Sequence, residues 1–195
     1  MKTRKLLWLA LPVLAVAAMV PVTVTAGGAQ HVRWDIISLV GGAPPGPINP
    51  GGMASAMAPD GDTITLTGTG TFVAPGGDNG GSGAVTGGGT WLTDAASGTY
   101  QVKELVSFVV ANPQSSTPAF VDNIGSLTER TNGTAVLRIE FSDGQSGVLT
   151  VGCHGPGAPP GIFEGIATTK GYKTYYEAED PVGGVDANRT LFHVR

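Results

Sequence analysis

Across residues 63–72 a threonine stands at every second position, and this run constrains the fold more than any other segment. Thr63, Thr65, Thr67, Thr69 and Thr71 fall on one face of an extended strand, and Ile64, Leu66, Gly68, Gly70 and Phe72 fall on the other. A threonine face suits water, and a face of Ile, Leu and Phe suits a core. Glycine on the inward face removes side-chain volume, which tight curvature or close approach of another segment requires. That combination points to a small closed barrel or a strongly coiled sandwich.

Alternation with the same period returns at residues 31–40, 84–93, 99–111, 134–141, 147–153, 162–169, 172–177 and 189–194. No segment after the N-terminal stretch carries the three-to-four spacing of a helix. Glycine, at 31 of 195 residues, and threonine outweigh the helix formers, as strands joined by tight turns demand. Asp143-Gly144 is the strongest turn signal and predicts a hairpin between residues 134–141 and 147–153. Lys170-Gly171 predicts a second tight turn. Residues 41–62, with five prolines, read as a long, flexible loop. The expectation is an all-β fold: one antiparallel β-barrel or β-sandwich domain of about eight or nine strands.

The first 26 residues read as an address. Lys2, Arg4 and Lys5 precede an apolar stretch over residues 6–22, broken only by Pro12 and Pro21. Val24-Thr25-Ala26 then offers small residues for cleavage after Ala26, the layout of a signal peptide. The expected mature domain, residues 27–195, is secreted or periplasmic, with no stable membrane insertion after cleavage. Loss of three basic residues takes the net charge from −4 to −7. Such a surface does not attract nucleic acid or anionic lipid by charge. A threonine-rich outer face and 7% aromatic residues also argue against an outer-membrane barrel, which needs an apolar band and aromatic girdles.

Four clusters could carry chemistry. Cys153-His154 pairs a thiol with an imidazole, but neighbours on a strand point to opposite faces, so a buried inert thiol is expected. The stretch Glu177, Glu179, Asp180 and Asp186 is a candidate calcium loop, although its spacing lacks the alternation of an EF-hand. Asp60-Gly61-Asp62 and Asp78-Asn79 read as turns. Tyr172, Tyr175 and Tyr176, with Glu164 and His193 on nearby strands, are candidate ligand contacts, because aromatic rings with polar tips line barrel mouths. Strict alternation places Glu104 on the apolar face of Tyr100, Val102, Val106 and Phe108. Either a bulge turns it outward or it faces a polar cavity.

The three histidines, His31, His154 and His193, are too scattered to predict a zinc site. No nucleophile elbow, phosphate loop or dinucleotide fingerprint occurs. No catalytic residue and no cofactor are therefore assigned. The leading expectation is a non-enzymatic exported protein holding a small apolar ligand near Glu104 and the tyrosines. The alternatives are an enzyme with a carboxylate in a barrel cavity and a structural or adhesive envelope module.

Overall fold

The computed structural model describes residues 28–39, 46–75, 81–117, 119–178 and 188–195. The proposed signal segment, residues 41–45 of the predicted loop, Asp78-Asn79, and Glu179, Asp180 and Asp186 lie outside them. The described chain is all-β. Its strands are β1 (Gln30–Ser38), β2 (Asn49–Pro50), β3 (Ala54–Met57), β4 (Thr63–Leu66), β5 (Thr69–Ala74), β6 (Val85–Thr93) and β7 (Ser97–Pro113). They continue with β8 (Arg130–Phe141), β9 (Ser146–Cys153), β10 (Gly165–Lys170), β11 (Lys173–Tyr175), β12 (Glu177–Ala178) and β13 (Arg189–Val194). Among the described residues the only helix is a single 3-10 turn, Leu127–Glu129.

Six strands close an antiparallel barrel in the order β1–β5–β6–β7–β8–β13 and back to β1. Two arms extend from it. One runs β6–β4–β3–β12, the other β8–β9–β10–β11, and β10 packs back against β3 and β12. The barrel alternative is therefore the right one. The thirteen strand segments exceed the expected eight or nine, because very short strands fall where the sequence carries no run of alternation. Residues 41–62, read as loop, include β2 and β3, and Ala54 and Ala56 are fully buried there.

The threonine run keeps a single register against β6 from Ile64↔Thr93 to Phe72↔Val85. It divides at Thr67–Gly68 because its other edge changes partner, from β3 to β1. Ile64, Leu66, Gly70 and Phe72 are buried, as the alternation requires.

Side chains fill the barrel. Val32, Trp34 and Ile36 of β1 lie opposite Phe72 and Gly70 on one side and Phe192 on the other. Phe108 stacks edge-on against both Phe72 and Phe192, each with ring centres 5.1 Å apart. Trp91 and Tyr100 flank Phe141 at 5.9 and 6.2 Å. The inward glycines make room for two of these rings. A Cβ on Gly68 would stand 2.3 Å from the Tyr100 hydroxyl and 2.9 Å from Trp34 ring atoms.

The Asp143-Gly144 hairpin joins β8 to β9 with Glu140 opposite Ser146. The Phe141 N–H donates to the Gln145 carbonyl at 2.8 Å, so Ser142, Asp143 and Gly144 form the loop. Gly144 has φ +86°, and a Cβ there would meet nothing within 4 Å. A substitution at this position thus tests backbone conformation alone. Gly144→Val should lower stability by about 1 kcal/mol or more in urea unfolding, since a β-branched residue is strained at positive φ. An unchanged midpoint would overturn the assignment of strain to this turn.

Candidate functional site

Strands β7 to β10 run between two clefts, one at each end. The first is formed where three hairpin tips meet: Asp94–Ala96 between β6 and β7, Asp143 and Gln145 between β8 and β9, and Tyr172 between β10 and β11. Trp91, Lys170, Lys173, Tyr175 and Asp62 complete a cleft of about 380 Å³. Trp91 and Tyr175 are buried in its floor. The Lys170 ammonium sits 4.2 Å from the Trp91 ring centre and 5.1 Å from that of Phe141, and it donates to Asp143. That lysine holds the Asp143 carboxyl below its usual range. Lys173 is paired with Asp60, at 2.8 Å, and with Asp62.

This cleft gathers two of the candidate tyrosines. Burial raises the Tyr175 phenol above its ordinary pKa. Tyr172 is fully exposed at the tip of a two-residue turn, Gly171-Tyr172, one position later than the predicted Lys170-Gly171. Tyr176 is exposed, its N–H donates to the Met57 carbonyl, and its side chain is not part of the cleft lining. Glu177 is exposed in β12 beside Met57. No cluster of three or more metal-ligating side chains occurs among the described residues.

Glu104 faces away from the barrel interior. The β7–β8 register slips between Val102 and Glu104, and this bulge puts Glu104 on the outer face, 3.0 Å from Arg138. The bulge is the answer to the alternation that had placed a carboxylate among core residues. A site inside the barrel near Glu104 is therefore corrected: its carboxylate is outside and the glycine wall is covered by Trp34 and Tyr100.

The second cleft, of about 70 Å³, lies at the other strand ends. Ile37, Leu39, Ile48, Phe120 and Leu191 give it apolar walls, while Arg130, Gln114 and Glu164 bring polar groups to it. Glu164 bridges strands that do not pair. One oxygen accepts from the Thr190 N–H of β13 at 2.8 Å, the other from the His154 N–H after β9. Burial pushes its carboxyl up to about 7 in spite of both donors.

Next to it, Cys153 is buried, and burial followed by the Glu164 charge raises its thiol. The Gln114 amide donates to its sulfur at 3.2 Å. A protonated, enclosed thiol is not a nucleophile, in line with the inert reading.

Behind Arg130, Asp122 is fully engaged. Its Oδ1 accepts from the N–H groups of Ile124 and Gly125 at 2.9 and 3.0 Å, and its Oδ2 meets His193 Nε2 at 3.0 Å. Burial opposes its charge, but these donors outweigh burial and hold the carboxyl below its usual range. Sequence reasoning noted Glu164 and His193 but not Arg130 or Lys170. Those two carry no local signal, because their meaning comes from what distant loops lay over them.

Comparisons with family models, with curated proteins and with solved structures gave no match. The class these observations define is a closed six-stranded antiparallel β-barrel with two accessory arms and a cleft at each end.

Proposed function

We propose that this chain is an exported, non-enzymatic binding barrel of the bacterial envelope or exterior, and that the tyrosine cleft is its ligand site. One observation carries the reading. Tyr172, Tyr175, Trp91 and Lys170 converge on a cleft of about 380 Å³, a volume in the range of small-molecule sites. The rim charges select the ligand. Asp62, Asp94 and Asp143 outnumber Lys170 and Lys173 by one, which favours a neutral or cationic molecule over an anion. Carboxylates and the Gln145 amide supply partners for hydroxyl groups, and the exposed Tyr172 ring offers a face to stack on. A small hydroxyl-bearing molecule with one apolar face fits this lining. The basic start, apolar stretch and Val24-Thr25-Ala26 support export, with a mature start at Gly27.

Tryptophan fluorescence titrated with neutral methyl glycosides, and with choline as cationic probe, tests the site. Saturable quenching is expected from at least one probe. Tyr172→Ala should weaken it about tenfold without loss of stability, since removing one aromatic contact forfeits about 1.5 kcal/mol. Absence of any saturable response, or an unchanged affinity in the variant, would overturn the reading. N-terminal sequencing of exported protein should begin at Gly27.

A further inference from the structure

The strongest unexplained group among the described residues is Arg130. Its side chain is 1% exposed, yet its Nε and Nη1 have no hydrogen-bond partner among the described residues. The nearest carboxylate, Asp122, stands 3.8 Å from Nε and has both oxygens committed elsewhere. The Phe120 ring lies 5.9 Å from the guanidinium carbon and provides no acceptor. A buried cation with unfilled donors is costly, and the cost falls when an acceptor arrives. Arg130 lines the 70 Å³ cleft, which has room for about five water-sized groups.

We propose that this cleft is a binding site for a small monocarboxylate with a short apolar chain, whose carboxylate oxygens are held by Arg130. The chemistry of the lining sets the class. Guanidinium recognises carboxylate by charge-assisted hydrogen bonds. Arg189 adds a second positive charge at the rim, where it acts on Glu164. Ile37, Leu39, Ile48 and Leu191 surround the remaining space and suit two or three methylene-sized groups. The enclosed part of the cleft thus matches a chain about the length of propionate or butyrate. The site is separate from the tyrosine cleft: the two lie at opposite ends of β7 to β10, and their charges favour opposite ligands.

Propionate is the probe, with propionamide as its neutral match in size, and inorganic phosphate as the competing anion. Titration of the purified protein, followed by amide chemical shifts, reads both affinity and place. Propionate should produce saturable shifts at His154, Gly155 and Leu191, and leave Lys170 and Tyr172 still. Propionamide should produce none. Arg130→Lys should weaken propionate about tenfold, because a point charge does not replace a planar fork. Glu104→Gln, on the outer face, should retain full affinity. If Arg130→Lys fails to fold, the propionate and propionamide comparison on the unaltered protein decides alone. Equal binding of the two, shifts centred elsewhere, or no saturable shift would overturn the site. Tighter binding of phosphate would overturn the carboxylate assignment.

Discussion

Trp34→Ala should lower stability by about 3–5 kcal/mol, and urea unfolding should show it as a large fall in midpoint. Trp34 is fully buried and is the largest enclosed side chain of the barrel. Its ring lies over a wall that has no side chains of its own: Gly68 and Gly70 of the threonine run. That wall has no side chain to fill the space, so much of the cavity would persist. A companion variant separates this account from generic core damage. Gly68→Ala would press a methyl group against the Tyr100 hydroxyl and the Trp34 ring. Tyr100→Phe removes that hydroxyl, at the expense of its 2.8 Å bond to the Thr67 carbonyl. If glycine is there to admit these rings, Gly68→Ala should be milder by about 1 kcal/mol in the Tyr100→Phe background. Additive losses, or a Trp34→Ala loss under about 1 kcal/mol, would refute the paired fit of rings and glycines.

The same residues show how far the chain could be read in advance. Alternation fixes which side chains point inward, so Val32, Trp34, Ile36, Ile64, Leu66, Phe72, Leu137, Ile139 and Phe141 were legible from the sequence and are buried. The inward glycines were legible as a sign of close approach. Their partners were not. Trp91 or Phe141 is as good a guess from composition, and only the closure of β1 onto β5 puts Trp34 there. Glu104 shows the limit of a period-two rule: the slip after Val102 inverts the alternation until a second slip after Leu105 restores it, so that Phe108 points inward again, and neither bulge leaves a strong mark in the residue types. The clefts were harder still. Tyr172 and Tyr175 were flagged for their chemistry, yet their neighbours Trp91, Asp143 and Lys170 come from three separate hairpins. Arg130 reads as one more charged residue until Phe120 and Asp122 are laid against it.

Glu164 sets the second large expected effect, on stability as a function of pH. Strand β13 pairs with β8 only at Phe192 and His193, and its first residues then diverge. The Glu164 carboxylate spans that gap, taking N–H groups from Thr190 and from His154. Its pKa in the folded chain is about 7, against an ordinary value of 4.5, because burial penalises the charged form. Folding therefore favours the protonated carboxyl. The contribution is fully present below pH 4.5 and is lost as pH rises through 7. A shift of this size corresponds to about 3 kcal/mol. Asp122 acts in the opposite sense. Its folded pKa is lowered, so its contribution is present at neutral pH and lost as pH falls toward that lowered value. Maximum stability should accordingly lie in mild acid, with an alkaline limb that belongs to Glu164.

Glu164→Gln removes the titration and keeps a single acceptor for two donors. One N–H is then left facing an amide nitrogen, so the variant should be less stable than the parent near pH 5 by about 1–3 kcal/mol. The deficit should shrink as pH rises, because the parent loses its own stability while the variant stays level. Urea midpoints of the two proteins, measured from about pH 5 to 8, should therefore converge. Parallel profiles, or a parent that gains stability over that range, would show that Glu164 is ionised in the folded chain and that its two backbone donors outweigh its burial.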